Sequence, residues 1–443
     1  MILEDLQDPL IGPGFKGFPQ DQPALRRSQL LHTGWNALAG DLPLPIALLK
    51  RSAIDHNLAW MQGQARRWGI DLAPHGKTTM SPQLFKRQLE AGAWGMTFAT
   101  VNQLAIGVAA GARRTLIANQ VLADGDLAAI ARLRHTYADL RVAFLVDSLA
   151  QLALIEAWAQ RHPGSAAFEV LLEIGVPGGR TGARTHDEAA ALARRLHASP
   201  AVLLVGIECY EGLGAKGQTE VDAPYAQALM DRVEAIARLC DGDHLFDGDE
   251  VLLSAGGSAI FDLVATRLTP KLTRPVRGLL RSGCYVTHDH GNYKRYLNAV
   301  DSRLGCAPGQ SLRPALEVWA YVQSCPEPGL AILAVGRRDL SHDIEMPVPI
   351  ARAAGLGAST RAIAPAETAT RGARTVPTSW KITGLNDQHA HLRWGAADAA
   401  HAPVVGECIG LGISHPCTTF DKWHWMPIVD DDYNVLDAAV MYF

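Results

Sequence analysis

One segment of the chain, Pro74-His75-Gly76-Lys77-Thr78-Thr79, sets a single primary amine beside a histidine and a glycine directly after an apolar run. A partly desolvated lysine has a lowered pKa, and its neutral amine can attack a carbonyl to form a Schiff base. A solvated loop lysine is the plain alternative. A second segment, Ser254-Ala-Gly256-Gly257-Ser258, carries paired glycines whose backbone N–H groups could cradle an anion, above all if the segment opens directly into a helix. Many connecting loops need such glycines for their backbone angles alone. Together the two segments fit a cofactor with both an aldehyde and a phosphate, and pyridoxal 5'-phosphate is one. A phosphosugar aldolase would turn the same pair on its substrate. A third segment, Gly412-Ile-Ser-His415-Pro-Cys417, puts an imidazole and a thiol two residues apart. In an extended chain these share a face and could bind one Zn2+ or another divalent metal, with positions left for water or substrate. His288-Asp289-His290 reads as a loop whose histidines point apart. Asp387-Gln-His389 reads as a turn that could face the same cleft, with a solvated histidine as the alternative.

These residues need a frame that brings them together. From about residue 70 short apolar runs alternate with Ala-rich helical stretches, the pattern of repeated βα units. Eight strands are expected, near Ile70–Pro74, Trp94–Phe98, Thr115–Ala118, Val142–Val146, Phe168–Ile174, Leu203–Glu208, Val251–Ala255 and Val276–Leu280. Eight such units close into a (β/α)8 barrel more readily than into an open doubly wound sheet, and barrels carry their chemistry at the C-terminal ends of the strands. Lys77 then follows the first strand, Gly256 and Gly257 the seventh, and Arg281-Ser-Gly283-Cys-Tyr285 the eighth. Beyond Tyr293 the pattern changes to β-type alternation, as in Leu316-Glu-Val-Trp-Ala-Tyr-Val. Ala351 to Thr378 reads as a long surface loop, and Pro45–Arg51 as a strand joining the C-terminal sheet. The expected division is residues 1–50 with the β domain, 51–295 as the barrel and 296–443 as the C-terminal β domain.

The composition is that of an ordinary globular protein of 443 residues, 48% hydrophobic. Lys+Arg 41 against Asp+Glu 45 gives a net charge of -4 without a basic run, which argues against nucleic acid and membrane partners and for a small-molecule ligand. Seven scattered cysteines read as reduced thiols, and the N-terminus lacks the basic and apolar regions of a secretory signal. A cytoplasmic protein is the expectation.

The lysine, glycine and His-x-Cys segments recur with Gln88-Leu-Glu-Ala-Gly-Ala-Trp-Gly-Met-Thr-Phe-Ala-Thr, Leu116-Ile-Ala-Asn119, Glu173-Ile-Gly-Val-Pro-Gly-Gly-Arg180-Thr-Gly and Gly206-Ile-Glu-Cys-Tyr210-Glu-Gly. In order and spacing, over most of the chain, this set resembles the D-serine dehydratase and D-threonine aldolase group of alanine-racemase-like, fold-type III pyridoxal-phosphate enzymes. The resemblance implies an N-terminal cofactor barrel, a C-terminal β domain and a homodimer acting on a small amino acid. It implies that Lys77 carries the cofactor and moves the substrate's α-proton, with Arg180 and Tyr210 beside the ring. Ser254, Gly256, Gly257 and Ser258 would hold the phosphate, with Tyr285 nearby, and His415 and Cys417 would hold zinc. Cysteine at that last position matches the dehydratase branch, whereas the aldolase branch usually has aspartate. The implied activity is dehydration of D-serine or a related β-hydroxy D-amino acid such as 3-hydroxyaspartate to a 2-oxo acid and ammonia. Aldol cleavage, racemisation and a non-catalytic cofactor carrier are the alternatives. The chain departs from the family at Thr79, where a histidine is common, in the insertion from Ala351 to Thr378, and in the aromatic Asp421-Lys-Trp-His-Trp.

Overall fold

A computed structural model describes residues 3–355 and 373–443. After a short helix, Leu3–Gln7, and an antiparallel pair, Leu10–Ile11 with Leu25–Arg26, the chain forms β1 (Ile46–Lys50) and α1 (Arg51–Trp68), which stops at Gly69 in the left-handed conformation, where glycine has no Cβ penalty. Eight parallel strands follow: β2 (Asp71–Leu72), β3 (Met96–Phe98), β4 (Arg114–Gln120), β5 (Arg141–Val146), β6 (Phe168–Ile174), β7 (Val202–Cys209), β8 (Val251–Ala255) and β9 (Val276–Leu280). They pair in the order β2-β9-β8-β7-β6-β5-β4-β3. The two ends of this order meet where the Trp94 N–H donates to the Leu72 carbonyl and the Thr97 N–H to the Pro74 carbonyl, each at 2.8 Å. Those bonds close the barrel and exclude the open sheet.

Alternation along each strand sorts the side chains into two cores. Leu116, Ala143, Leu145, Leu171, Val205, Leu252 and Leu279 fill the barrel interior. Their neighbours Ile117, Phe144, Leu172, Leu253 and Leu280 pack outward under the helices. The helices are α2 (Pro82–Glu90), α3 (Val101–Ala109), α4 (Asp124–Thr136), α5 (Leu149–Arg161), α6 (His186–His197), α7 (Thr219–Gly242) and α8 (Phe261–Ala265). Side chains of Thr100, Ser148 and Thr185 cap α3, α5 and α6, each satisfying an N–H that the helix itself leaves free. At the N-terminal end of the barrel, Arg141 bridges Glu169 and Glu250, and Arg277 bridges Glu250 and Asp71. This charged plug closes one end, so only the opposite end can hold a ligand.

After α9 (Asn292–Leu304) come β10 (Leu316–Glu327), β11 (Leu330–Leu333), β12 (Val348–Ala353), β13 (Arg374–Thr375), β14 (Lys381–Leu385), β15 (Ala390–Arg393), β16 (Cys408–Gly412), β17 (Trp425–Val429) and β18 (Val435–Val440). Strand β1 pairs antiparallel with β10 and parallel with β17, so Ile46–Lys50 is part of this sheet. The expected loop from Ala351 to Thr378 needs correction at both ends. Ala351 pairs with Thr375 and Arg352 with Arg374, since Arg352 is held by Glu407 at 2.5 and 2.7 Å and extends β12. Its centre lies outside the described residues. Among the described residues no helix is long and apolar enough to cross a membrane.

Candidate active site

The C-terminal ends of the barrel strands and the segment after β16 enclose a cavity of about 190 Å³. A larger surface depression of about 410 Å³ near Trp35 and Asp41 contains no lysine, arginine, histidine or cysteine, and the chemistry is not there. Lys77 sits in a one-turn helix, Gly76–Thr78, that caps β2, and its N–H approaches His75 Nδ1 at 3.4 Å. Water reaches the ammonium through the cavity, yet the surrounding walls desolvate it. Burial therefore lowers its pKa, against the opposing pull of Cys417 and Cys284.

Across the cavity, Gly256 and Ser258 line the wall. The expectation that this loop opens directly into a helix is corrected: α8 starts only at Phe261 and has five residues. Turn amides, rather than a helix terminus, face the site. One is already engaged, because the Gly256 N–H donates to Glu211 Oε2 at 3.1 Å. A Cβ at Gly257 would fall 2.2 Å from Glu211 Oε1, so only glycine lets the carboxylate approach. Burial raises the pKa of Glu211, and these amides oppose the rise. Ser254 is fully buried and its Oγ has no partner, which leaves a hydroxyl free beneath the loop. Arg281 also lines the cavity and forms a buried ion pair with Glu208, whose carboxyl burial pushes up to about 8 despite the arginine.

Arg180 and Tyr210 stand together on the same wall, the guanidinium 5.2 Å from the phenol ring centroid. Burial pushes the Tyr210 hydroxyl up to about 12, so it is a neutral donor at physiological pH. Tyr285 is buried beside Gln88 and does not line the cavity, and neither do Ser254 or Gly257.

His415 and Cys417 enter from the C-terminal domain, but not in the extended chain expected. Pro416, at φ -59°, starts a short helix, Cys417–Phe420, because its ring presets the helical angle. Both side chains still line the cavity that Lys77 lines. The His415 Nδ1 is bonded to Asp343 Oδ2 at 2.6 Å, which leaves Nε2 for another partner, and Asp343 Oδ1 accepts from Thr418 at 2.8 Å. Burial alone would lower the His415 pKa; the Cys417 thiolate and Asp343 outweigh it and lift it to about 9. Cys417 Sγ lies 3.6 Å from Cys284 Sγ. Sharing of a proton with Cys284, together with His415, holds Cys417 well below the usual thiol range and raises Cys284 above it. Among the described residues no group of three or more His, Cys, Asp and Glu side chains is arranged to hold a metal ion. A carboxylate-oriented imidazole beside a thiolate is nonetheless the donor set a zinc ion with open positions requires.

His288 is buried and His290 largely so, and desolvation pushes them down to about 4 and about 3. Asp289 between them accepts the N–H groups of Gly291, Tyr293 and Lys294, which makes the segment the cap of α9. Asp387-Gln-His389 is the turn joining β14 to β15, closed by the Asn386 N–H on the His389 carbonyl, and it does not line the cavity. Sequence reasoning set the segment Arg281–Tyr285 at the barrel mouth by strand position but gave Arg281 and Cys284 no role, and it missed Tyr293 and Asp343; Asp343 carried no local signal.

Residues 49–270 match the family model described as "Alanine racemase, N-terminal domain", and residues 315–429 the one described as "Putative serine dehydratase domain". The chain is 26% identical over 388 residues to a D-threonine aldolase of an Arthrobacter species, covering 87% of this chain and 89% of that one. It is 28% identical over 394 residues to D-threo-3-hydroxyaspartate dehydratase of Delftia sp. strain HT23, covering 85% and 92%. The fold is similar to the crystal structure of D-threonine aldolase from Filomicrobium marinum, with a TM-score of 0.71 at 23% identity over 90% of this chain and 95% of that one. It is also similar to the Delftia dehydratase, with a TM-score of 0.67 at 24% identity over 90% and 98%. Solved forms of that dehydratase include a histidine-to-alanine variant and a cysteine-to-alanine variant in the metal-free form, substituted two positions apart.

Proposed function

Because the chain belongs to the alanine-racemase-like family, in the group that joins this barrel to a serine-dehydratase-type C-terminal domain, we propose that it is a pyridoxal-phosphate-dependent, metal-assisted lyase. Its proposed reaction is dehydration of a β-hydroxy D-amino acid to a 2-oxo acid and ammonia. The observation that carries this reading is the convergence of Lys77 from the barrel with His415 and Cys417 from the C-terminal domain on one cavity.

The residues present fit both groups. Lys77 is the one lysine lining the cavity, and desolvation lowers its pKa in the direction that attachment of an aldehyde requires. The turn at Gly256 and Ser258, which lines the cavity, would take the phosphate, and Arg180 with Tyr210 would flank the ring. His415 and Cys417 would hold the metal, with Asp343 fixing the imidazole. When bound, the cofactor supplies an electron sink for a developing carbanion at Cα, and the metal supplies Lewis acidity toward a β-oxygen.

The chain's own residues do the rest. Lys77 stands as the amine that would take the α-proton, and desolvation lowers its pKa, which favours the neutral base. Tyr210, with its pKa at about 12, donates a hydrogen bond without losing its proton. The plugged barrel floor leaves the domain interface as the route for substrate. A homodimer is part of the proposal, and light scattering checks it.

Aldol cleavage is the second reading, favoured by the D-threonine aldolase relative. A panel of D- and L-β-hydroxy amino acids, assayed on the loaded enzyme with and without chelator, separates the two. Oxo acid plus ammonia from D-substrates, lost on chelation, is the expected result. Glycine plus an aldehyde would replace dehydration with aldol cleavage. Lys77→Ala should lose the visible absorption of the bound cofactor, and its persistence would remove Lys77 from that role.

A further inference from the structure

Two of the seven cysteines meet across the domains. Cys284 follows the last barrel strand, Cys417 starts the short helix after β16, and their sulfurs are 3.6 Å apart although 133 positions separate them in sequence. The hydroxyl of Thr78, next to Lys77, lies 3.8 Å from the first sulfur and 3.5 Å from the second. Both thiols line the cavity that Lys77 lines. All seven cysteines are free, and this is the only pair whose sulfurs bond to each other among the described residues.

We infer that Cys284 and Cys417 form a redox-active dithiol, oxidised by a hydroperoxide to a disulfide that ties the barrel to the C-terminal domain and takes Cys417 away from the metal. A disulfide needs about 2.05 Å between sulfurs, so the pair must close by roughly 1.5 Å, which side-chain rotation supplies. The step balances. One thiol attacks a peroxide oxygen, the O–O bond breaks and an alcohol or water leaves, and a sulfenic acid is formed. The second sulfur then displaces hydroxide from that sulfenic sulfur; the two thiol protons end in the alcohol and water, and a new S–S bond forms. Both sulfurs are oxidised by one electron each and the peroxide is reduced by two. An external thiol reverses the step by exchange.

The loss of metal on oxidation rests on the functional reading above; the disulfide itself does not. The test treats metal-stripped, cofactor-loaded protein with hydrogen peroxide, blocks the remaining thiols, and maps peptides by mass spectrometry. Two of seven thiols should disappear together, a peptide linking Cys284 to Cys417 should appear, and dithiothreitol should restore both. In Cys284→Ser, Cys417 should instead proceed to the sulfinic acid, which dithiothreitol does not reverse. Absence of the linked peptide in the wild type, or reversal of Cys417 oxidation by dithiothreitol in Cys284→Ser as complete as in the wild type, overturns the inference. Added Zn2+ should prevent the link by occupying Cys417. A link that forms equally with and without Zn2+ would overturn the metal reading while leaving the dithiol in place.

Discussion

Replacing Gly107 by alanine connects packing in the barrel wall to the position of Lys77. Gly107 lies in α3, and a Cβ there would fall 1.9 Å from the ring of the fully buried Phe98. To regain ordinary contact the ring must retreat by about 1.5 Å. The space around the ring is already occupied, since a Cβ on Gly76 would meet Phe98 at 2.7 Å and Phe85 at 3.0 Å, and the two rings pack edge to face at 5.7 Å. The strain therefore passes to Gly76, the residue before Lys77. Overpacking of this kind costs about 1–3 kcal/mol, and alanine's better helix propensity returns about 1 kcal/mol. The expected net loss is about 0–2 kcal/mol in urea unfolding. Turnover should fall more steeply, because a displacement of about 1 Å in a reacting group costs on the order of a hundredfold. Gly63→Ala is the control. It sits in α1 with nothing within 4 Å of the added Cβ, so it should stabilise by about 0.5–1 kcal/mol and leave turnover unchanged. Phe98→Leu in the Gly107→Ala background should recover part of the loss. If Gly107→Ala behaves like Gly63→Ala in both assays, the chain of contacts from α3 to the lysine turn does not carry strain and the reasoning fails.

Other outcomes follow from the same geometry. Burial raises the Glu208 carboxyl to about 8, so the folded state holds its proton more tightly than the unfolded chain, and stability declines as pH rises from about 4.5 to about 8. Glu208→Gln should flatten that decline in urea titrations, and an unchanged slope would contradict the assignment. Because burial lowers the Lys77 pKa, a small aldehyde with cyanoborohydride should label Lys77 in the cofactor-free protein at neutral pH before the exposed Lys86. Peptide mass spectrometry reads this, and equal labelling would refute it. Trp158 is buried against Phe168 at 5.2 Å and stacked on His162 at 4.3 Å, so Trp158→Ala should cost about 3–5 kcal/mol in urea unfolding. A loss under about 1 kcal/mol would mean that the pocket collapses around the smaller side chain.

What the sequence determined by itself was local. Lys77, the Gly256-Gly257 turn and the eight strands were legible because each depends on a few adjacent residues: an apolar run, a glycine pair, a periodicity. The joining of β1 to the C-terminal sheet was legible too, since Ile46–Lys50 precedes α1 as an apolar strand with no place in the barrel. Where neighbours in space are far apart in sequence, reading failed or stopped short. No spacing rule brings Cys284 to Cys417, Asp343 to the His415 imidazole, or Glu211 onto the Gly256 amide. Tyr285 follows a cavity residue in the chain yet turns toward Gln88, because successive residues of a short helix point about 120° apart. Tertiary structure also decided charge: Glu208, His290 and His415 are ordinary titratable groups in the sequence, and only burial and chosen partners move them to about 8, about 3 and about 9. Barrel closure turns these separate side chains into one cavity, since it fixes every strand end on a single rim beneath the C-terminal sheet.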